Sequence, residues 1–126
     1  MIEKLACIFS DFQPRVLFAY LFGSTGTALQ HARSDLDLAI YLDKEASAIT
    51  LDHKLTLYTE ISRAIKRNDI DVVILNTCDN CMLLYELMIN GRLIYDVNPN
   101  VRILFEQKTL HAAIDFKEQR DRIFAW

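Results

Sequence analysis

A chain of 126 residues with 52% apolar content is long enough to bury a single core without disulfides or a structural metal, so residues 1–126 are read as one domain. Its formal net charge of −3 and pI near 5.5 provide no broad basic surface for neutralising many phosphates, which disfavours a polymeric nucleic acid as ligand. No apolar run approaches the roughly 20 residues of a membrane span. Lys4 with Leu5-Ala6-Cys7-Ile8-Phe9 is cut off by Asp11 too early for a signal peptide, and the expected location is cytoplasmic with no membrane partner.

From the N-terminus, Ile2, Leu5, Ile8, Phe9 and Phe12 recur near helical spacing, which predicts a helix over residues 2–12 closed by Pro14. Val16 to Phe22 is a nearly continuous apolar run, the pattern of a strand covered on both faces, and it delivers Gly23-Ser24 at its C-terminal end. A short helix is expected over residues 25–32. The strand Asp35 to Leu42 alternates strictly, with Asp35 and Asp37 on one face and Leu36, Leu38, Ile40 and Leu42 on the other. The apolar face anchors that strand and the acidic face is left free for chemistry.

Leu51, Leu55, Tyr58, Ile61 and Ile65 mark an amphipathic helix from about 49 to 67, ended by Asn68 and Asp69. Ile70 to Leu75 reads as the third central strand, residues 79–89 as a helix stopped by Asn90-Gly91, and Arg92 to Tyr95 as a brief strand. Asn98-Pro99, a cap followed by proline at the first helical position, opens a long helix running towards Trp126. No repeat, low-complexity tract or linker marks a domain boundary. The order of strands and helices gives an α/β fold, a sheet with helices against it.

The chemistry concentrates where Gly23-Ser24 is followed ten residues later by Asp35-Leu36-Asp37. A nucleoside triphosphate needs donors for its phosphate oxygens and a partner for the metal that neutralises them. Gly23 lets the backbone turn tightly against a phosphate, Ser24 adds a hydroxyl donor, and a helix beginning near Thr25 points its N-terminal amides at the same anion. Asp35 and Asp37 project side by side as hard oxygen ligands suited to Mg²⁺. A two-metal in-line displacement, with ions about 3.5 to 4 Å apart, usually takes a third carboxylate. Asp71 is the candidate, because it leads an apolar strand that can lie beside the first at the same sheet end.

Each piece alone has an ordinary explanation, since Gly-Ser is common in turns and Asp-x-Asp at solvated strand entries. Their order along the chain is what carries the reading. Asp69 makes a second Asp-x-Asp with Asp71, but its place at a helix end favours a turn or cap role. His31 and Arg33 are placed to reach triphosphate oxygens, and a solvated helix end explains them equally well; Arg92, at a strand start, reads as a surface residue. Cys78 and Cys81 form a C-x-x-C at a strand-to-helix junction, too few ligands for structural zinc, and are read as small buried or half-buried thiols.

The motif Gly23-Ser24-x10-Asp35-x-Asp37, with Asp71 on a later strand, resembles that of the minimal nucleotidyltransferases, small members of the polymerase-beta-like superfamily, over about residues 14–96. In size and layout the chain is most similar to the MNT-domain (MntA-type) antitoxins encoded beside HEPN-domain ribonuclease toxins. The resemblance implies a minimal nucleotidyltransferase fold, with a mixed central sheet flanked by helices and a long C-terminal helix over about 98–125. It implies a Mg²⁺-dependent protein adenylyltransferase, with two ions expected, that moves AMP from ATP onto a tyrosine of the toxin and silences it. Gly23 and Ser24 then bind phosphate, and Asp35, Asp37 and Asp71 are the catalytic, metal-holding residues. One departure is Ala28, where relatives often carry Gly; a small residue is kept. The alternatives are an antitoxin that occludes its toxin without catalysis, and transfer to a small hydroxylated molecule. The long helix has more apolar positions than one narrow stripe needs, and Phe116, Ile123, Phe124 and Trp126 are the candidates for docking the toxin.

Overall fold

A computed structural model describes residues 2–22 and 36–124, with the side chains of residues 113, 116, 117 and 119–124 outside the description. The elements run α1 (Ile2–Asp11), β1 (Val16–Phe22), β2 (Leu36–Leu42), α2 (Leu51–Ile65), β3 (Ile70–Ile74), α3 (Cys81–Asn90), β4 (Arg92–Asp96) and α4 (Pro99–Phe124). A single 3-10 turn, Ala46–Ala48, precedes α2. The expected helix over residues 25–32, and with it Ala28, His31 and Arg33, lies outside the described residues.

The four strands form a mixed sheet in the order β3-β2-β1-β4, with β1 antiparallel to both neighbours and β2 parallel to β3. The strand expected to be the third central one, β3, therefore lies at an edge of the sheet among the described residues. Its apolar content misled because only one face is closed: Ile70, Val72 and Ile74 are buried while Asp71 is exposed and Val73 half-buried. β1 is covered on both sides, as its unbroken apolar run implies.

Two apolar layers sandwich the sheet. On one side Leu5, Phe9 and Phe12 from the α1 region and Leu57 and Ile61 of α2 pack on Leu36, Leu38, Ile40 and Leu42. On the other, Leu83, Leu84, Leu87 and Met88 of α3 with Val101 and Phe105 of α4 pack on Phe18, Tyr20, Phe22, Ala39 and Tyr41. The helix caps follow the sequence closely. Asn80 Oδ1 accepts the Leu83 amide at 3.1 Å, and Asn98 Oδ1 accepts the Val101 amide at 3.3 Å just ahead of Pro99.

The stop at Asn90-Gly91 has a different cause from the usual left-handed glycine cap. Gly91 is extended (φ −70°, ψ 144°), and its amide donates to the Leu87 carbonyl at 2.7 Å. A β-carbon there would collide with that carbonyl oxygen and come within 2.7 Å of Leu87 Cδ1. Leu87 is buried, so it has little room to yield. Gly91→Ala is accordingly expected to destabilise the fold by roughly 1 to 3 kcal/mol through overpacking, measured as a lower urea midpoint at unchanged m-value. An unaltered midpoint would show that Leu87 and the α3–β4 junction relax freely.

Candidate active site

Register across three strands assembles the acidic end of the sheet. Phe22, the last residue of β1, partners Asp37 of β2, and Asp37 partners Asp71 of β3 in the parallel ladder. Partnered residues in neighbouring strands project to the same side with backbones about 4.8 Å apart, so Asp37 and Asp71 share a face beside the point where β1 hands over to Gly23. Asp37 is half-buried and Asp71 exposed. That face is open only at its rim. Further along β2, Ala39 is fully buried and Tyr41 half-buried beneath α3 and α4, which confines the chemistry to the strand ends.

Gly23, Ser24 and Asp35 lie outside the described residues, so of the five residues singled out by the motif the structure brings together Asp37 and Asp71. Among the described residues, no three His, Cys, Asp or Glu side chains converge into a metal site. Two carboxylates on adjacent strands nevertheless fit a hard divalent cation, since they are anionic oxygen donors of the right class.

Asp69 lies between the end of α2 and the start of β3. Its carbonyl accepts the Leu36 amide at 2.8 Å, and its carboxylate is gripped by Arg67 through Nε at 2.8 Å and Nη2 at 2.6 Å. The Arg67 guanidinium holds the Asp69 carboxyl below the usual carboxylate range. Sequence reasoning passed over Arg67. The signal was its place two residues before Asp69, but the pairing depends on Lys66 adopting a left-handed conformation (φ 57°) that turns the chain back at the end of α2.

A second group missed in the sequence fastens α4 to the sheet. Tyr20 of β1 donates its hydroxyl to Glu106 Oε2 at 2.8 Å, and Arg102 bridges Asp96 of β4 at 2.7 Å and Glu106 at 2.6 Å. Burial, reinforced by the Glu106 carboxylate, pushes the Tyr20 phenol far above its ordinary value, and Arg102 is held charged first by its bond to Asp96. This network also reveals direction. Val101 lies near Leu17 and Tyr41, and Glu106 reaches Tyr20, so α4 advances towards the acidic end of the sheet. At 1.5 Å per residue, its remaining turns to Phe124 carry it past that end. The first half of α4 thus runs along the sheet towards the acidic end and not away from it.

Cys78 and Cys81 are half-buried, Cys7 is exposed, and all three are free. A cleft of about 390 Å³ between α2 and β3, lined by Ile49, Lys54, Val73, Thr77 and Cys78 among others, opens at the far end of β3 from Asp71 and contains no carboxylate. Within the described residues, no helix is long and apolar enough to cross a membrane.

A four-stranded mixed sheet with helices on both faces, carrying aspartates in register at the end of the strand pair, is the architecture of the nucleotidyltransferase class. The chain belongs to the polymerase beta nucleotidyltransferase family, whose model matches residues 3–100. No curated protein sequence matches it. Among solved structures, it is similar to a chain of a toxin–antitoxin complex with AMP-PNP at 23% identity, with a TM-score of 0.77 over 98% of this chain and 94% of that one. It is similar at 20% identity and TM-score 0.74 to a chain of the tri-AMPylated Shewanella oneidensis HEPN toxin in complex with MNT antitoxin, covering 98% and 92% of the two chains. A chain of the MntA–HepT toxin–antitoxin matches with the same identity, score and coverage. The expected fold is therefore the observed one, long C-terminal helix included.

Proposed function

We propose that this nucleotidyltransferase is an antitoxin that transfers AMP from ATP to a tyrosine of a HEPN-domain toxin. The observation that carries the proposal is the register of Asp37 with Asp71 beside the end of β1, which matches the requirement for carboxylates converging next to a phosphate-binding turn. The likeness to chains of toxin–antitoxin complexes, one with AMP-PNP and one with a tri-AMPylated HEPN toxin, supports the choice of nucleotide and acceptor.

Asp35, Asp37 and Asp71 would hold Mg²⁺, which when bound supplies charge neutralisation at the triphosphate and polarises the attacking and leaving oxygens. Gly23 and Ser24 orient the phosphates through backbone and hydroxyl donors. The acceptor phenol, with an ordinary pKa of about 10, needs its proton removed at neutral pH, and Asp71 is the exposed carboxylate placed to take it. A bond forms from the tyrosine oxygen to the α-phosphorus as the bond from that phosphorus to the bridging oxygen breaks. Pyrophosphate leaves. Co-expression with the product of the adjacent gene, followed by intact-mass spectrometry, tests this: the partner should gain one AMP or whole multiples of it. A tight complex with no mass gain in the presence of Mg²⁺ and ATP would select stoichiometric occlusion instead.

The partner surface is assigned to α4. Its first half covers the sheet through Val101 and Phe105, yet Ile103, Leu110 and Ile114 are exposed and recur at positions 7 and 4 apart, one narrow stripe, flanked by Leu104. The earlier candidates Phe116, Ile123, Phe124 and Trp126 have side chains outside the described residues. Because α4 runs towards the acidic end, a protein held on this stripe is delivered to the site that modifies it. Leu110→Ala and Ile114→Ala are each expected to weaken partner binding by roughly 1 to 2 kcal/mol in calorimetry while leaving ATP affinity intact. Unchanged partner affinity in the double variant would move the docking surface off this stripe.

A further inference from the structure

Asp69 and Asp71 form an Asp-x-Asp at the same sheet end as Asp37, and the backbone brings them close. The Leu36 amide donating to the Asp69 carbonyl at 2.8 Å is the bond that opens the β2–β3 ladder at Leu36 and Ile70, which fixes the Asp69 backbone directly ahead of β3, two residues from Asp71. Even so, Asp37, Asp69 and Asp71 do not converge as a group of three. Both carboxylate oxygens of Asp69 are engaged by the Arg67 fork, in the bidentate geometry that only a guanidinium supplies. Arg67 is itself held in place: its amide donates to the Ser62 carbonyl at 3.3 Å, the Ser62 hydroxyl donates to its carbonyl, and the Tyr58 hydroxyl caps the Asn68 carbonyl at 3.0 Å.

We propose that Arg67 is a positioning residue that withholds Asp69 from the divalent-cation site around Asp37 and Asp71. The inference rests on the cation site proposed above. Ligand charge sets how tightly a carboxylate site binds a hard cation. A further free carboxylate at this end favours the bare cation and repels the triphosphate that has to arrive with it, so the Arg67 clamp keeps the site receptive to the cation and nucleotide together.

Binding of Mn²⁺ to the full chain without nucleotide, followed by the electron paramagnetic resonance signal of the free ion, tests the assignment. Arg67→Gln should bind Mn²⁺ roughly three- to tenfold tighter than the unaltered protein, because Asp69 is released. Arg67→Lys, which keeps the charge but loses the fork, should fall between the unaltered protein and Arg67→Gln, and Arg67→Gln with Asp69→Asn should return to the starting affinity. Tightening that persists in this double variant, or is absent from Arg67→Gln, overturns the role of Arg67. Asp69→Asn alone leaves the Arg67 charge unneutralised and so cannot decide the point, whereas Arg67→Gln with Asp69→Asn keeps the net charge: weaker Mn²⁺ binding in that double variant identifies Asp69 as a ligand and overturns the proposal even if Arg67→Gln alone does not fold. Asp37→Asn separates the two ideas. If it leaves Mn²⁺ binding unchanged, the cation site itself fails and the clamp with it; if it weakens binding while Arg67→Gln does nothing, the clamp alone fails.

Discussion

Replacing Asp35 and Asp37 together by Asn is expected to lower AMP transfer by on the order of 10³-fold, since a cation that polarises reacting oxygens contributes several kcal/mol and each 1.4 kcal/mol is tenfold in rate. Asn keeps the shape of both side chains and removes the charge that the proposed metal role requires. The fold should survive, because Asp37 sits at the rim of the sheet and its strand is anchored by the fully buried Leu38 and Ile40 on the opposite face. Transfer followed by intact mass at saturating ATP and Mg²⁺, with thermal unfolding measured in parallel, checks both halves. Near-normal transfer would remove the metal role from this pair. Lost transfer with a collapsed unfolding midpoint would show that the aspartates are structural.

The element order was legible because each signal was local. An apolar run with no polar face marked β1, strict alternation marked β2, and Asn98-Pro99 marked the start of α4. The adjacency of Asp37 and Asp71 was also within reach, since a strand, a helix and a second strand at that spacing make a parallel pair whose leading residues lie together. The remainder depended on tertiary pairing. Nothing in Ile70-Asp71-Val72-Val73-Ile74 distinguishes an edge strand from a central one, because its burial comes from α2 beneath it and not from a neighbour on each side.

The course of α4 was hidden for a related reason. β1 ends at the acidic end, and β4 pairs antiparallel to it, so β4 must begin at that end and leave α4 to start at the other. Once that pairing is known, the return of α4 towards the site follows from geometry. Before it is known, separation in sequence suggests separation in space. Arg67 was obscured on a smaller scale, by a single left-handed residue, Lys66, in a position where most side chains avoid that conformation.

The aromatic cluster that seats α4 should yield the largest stability effect from a single substitution. Phe18 is fully buried in β1, with its ring stacked on Tyr41 at 4.8 Å and 8°, edge-on to Tyr20 at 5.8 Å, and tilted against Phe105 of α4 at 5.5 Å. Phe18→Ala removes the ring from all three neighbours, and a cavity walled by β1, β2 and α4 cannot close without moving the sheet. The expected cost is about 3 to 5 kcal/mol, the range for Phe to Ala in a core. Against a total stability of roughly 5 to 15 kcal/mol, this is about a fifth or more of what holds the fold together. For a chain of this length it should lower the unfolding midpoint by roughly 10 to 20 °C. Leu104→Ala provides the comparison on the same helix: Leu104 is 64% exposed, and its loss should change stability by no more than about 0.5 kcal/mol. Calorimetric unfolding of the two variants beside the parent measures the difference. If Phe18→Ala costs under about 1 kcal/mol, the cluster is loosely packed. In that event the charged network of Tyr20, Asp96, Arg102 and Glu106 must be what holds α4 beside the acidic end of the sheet.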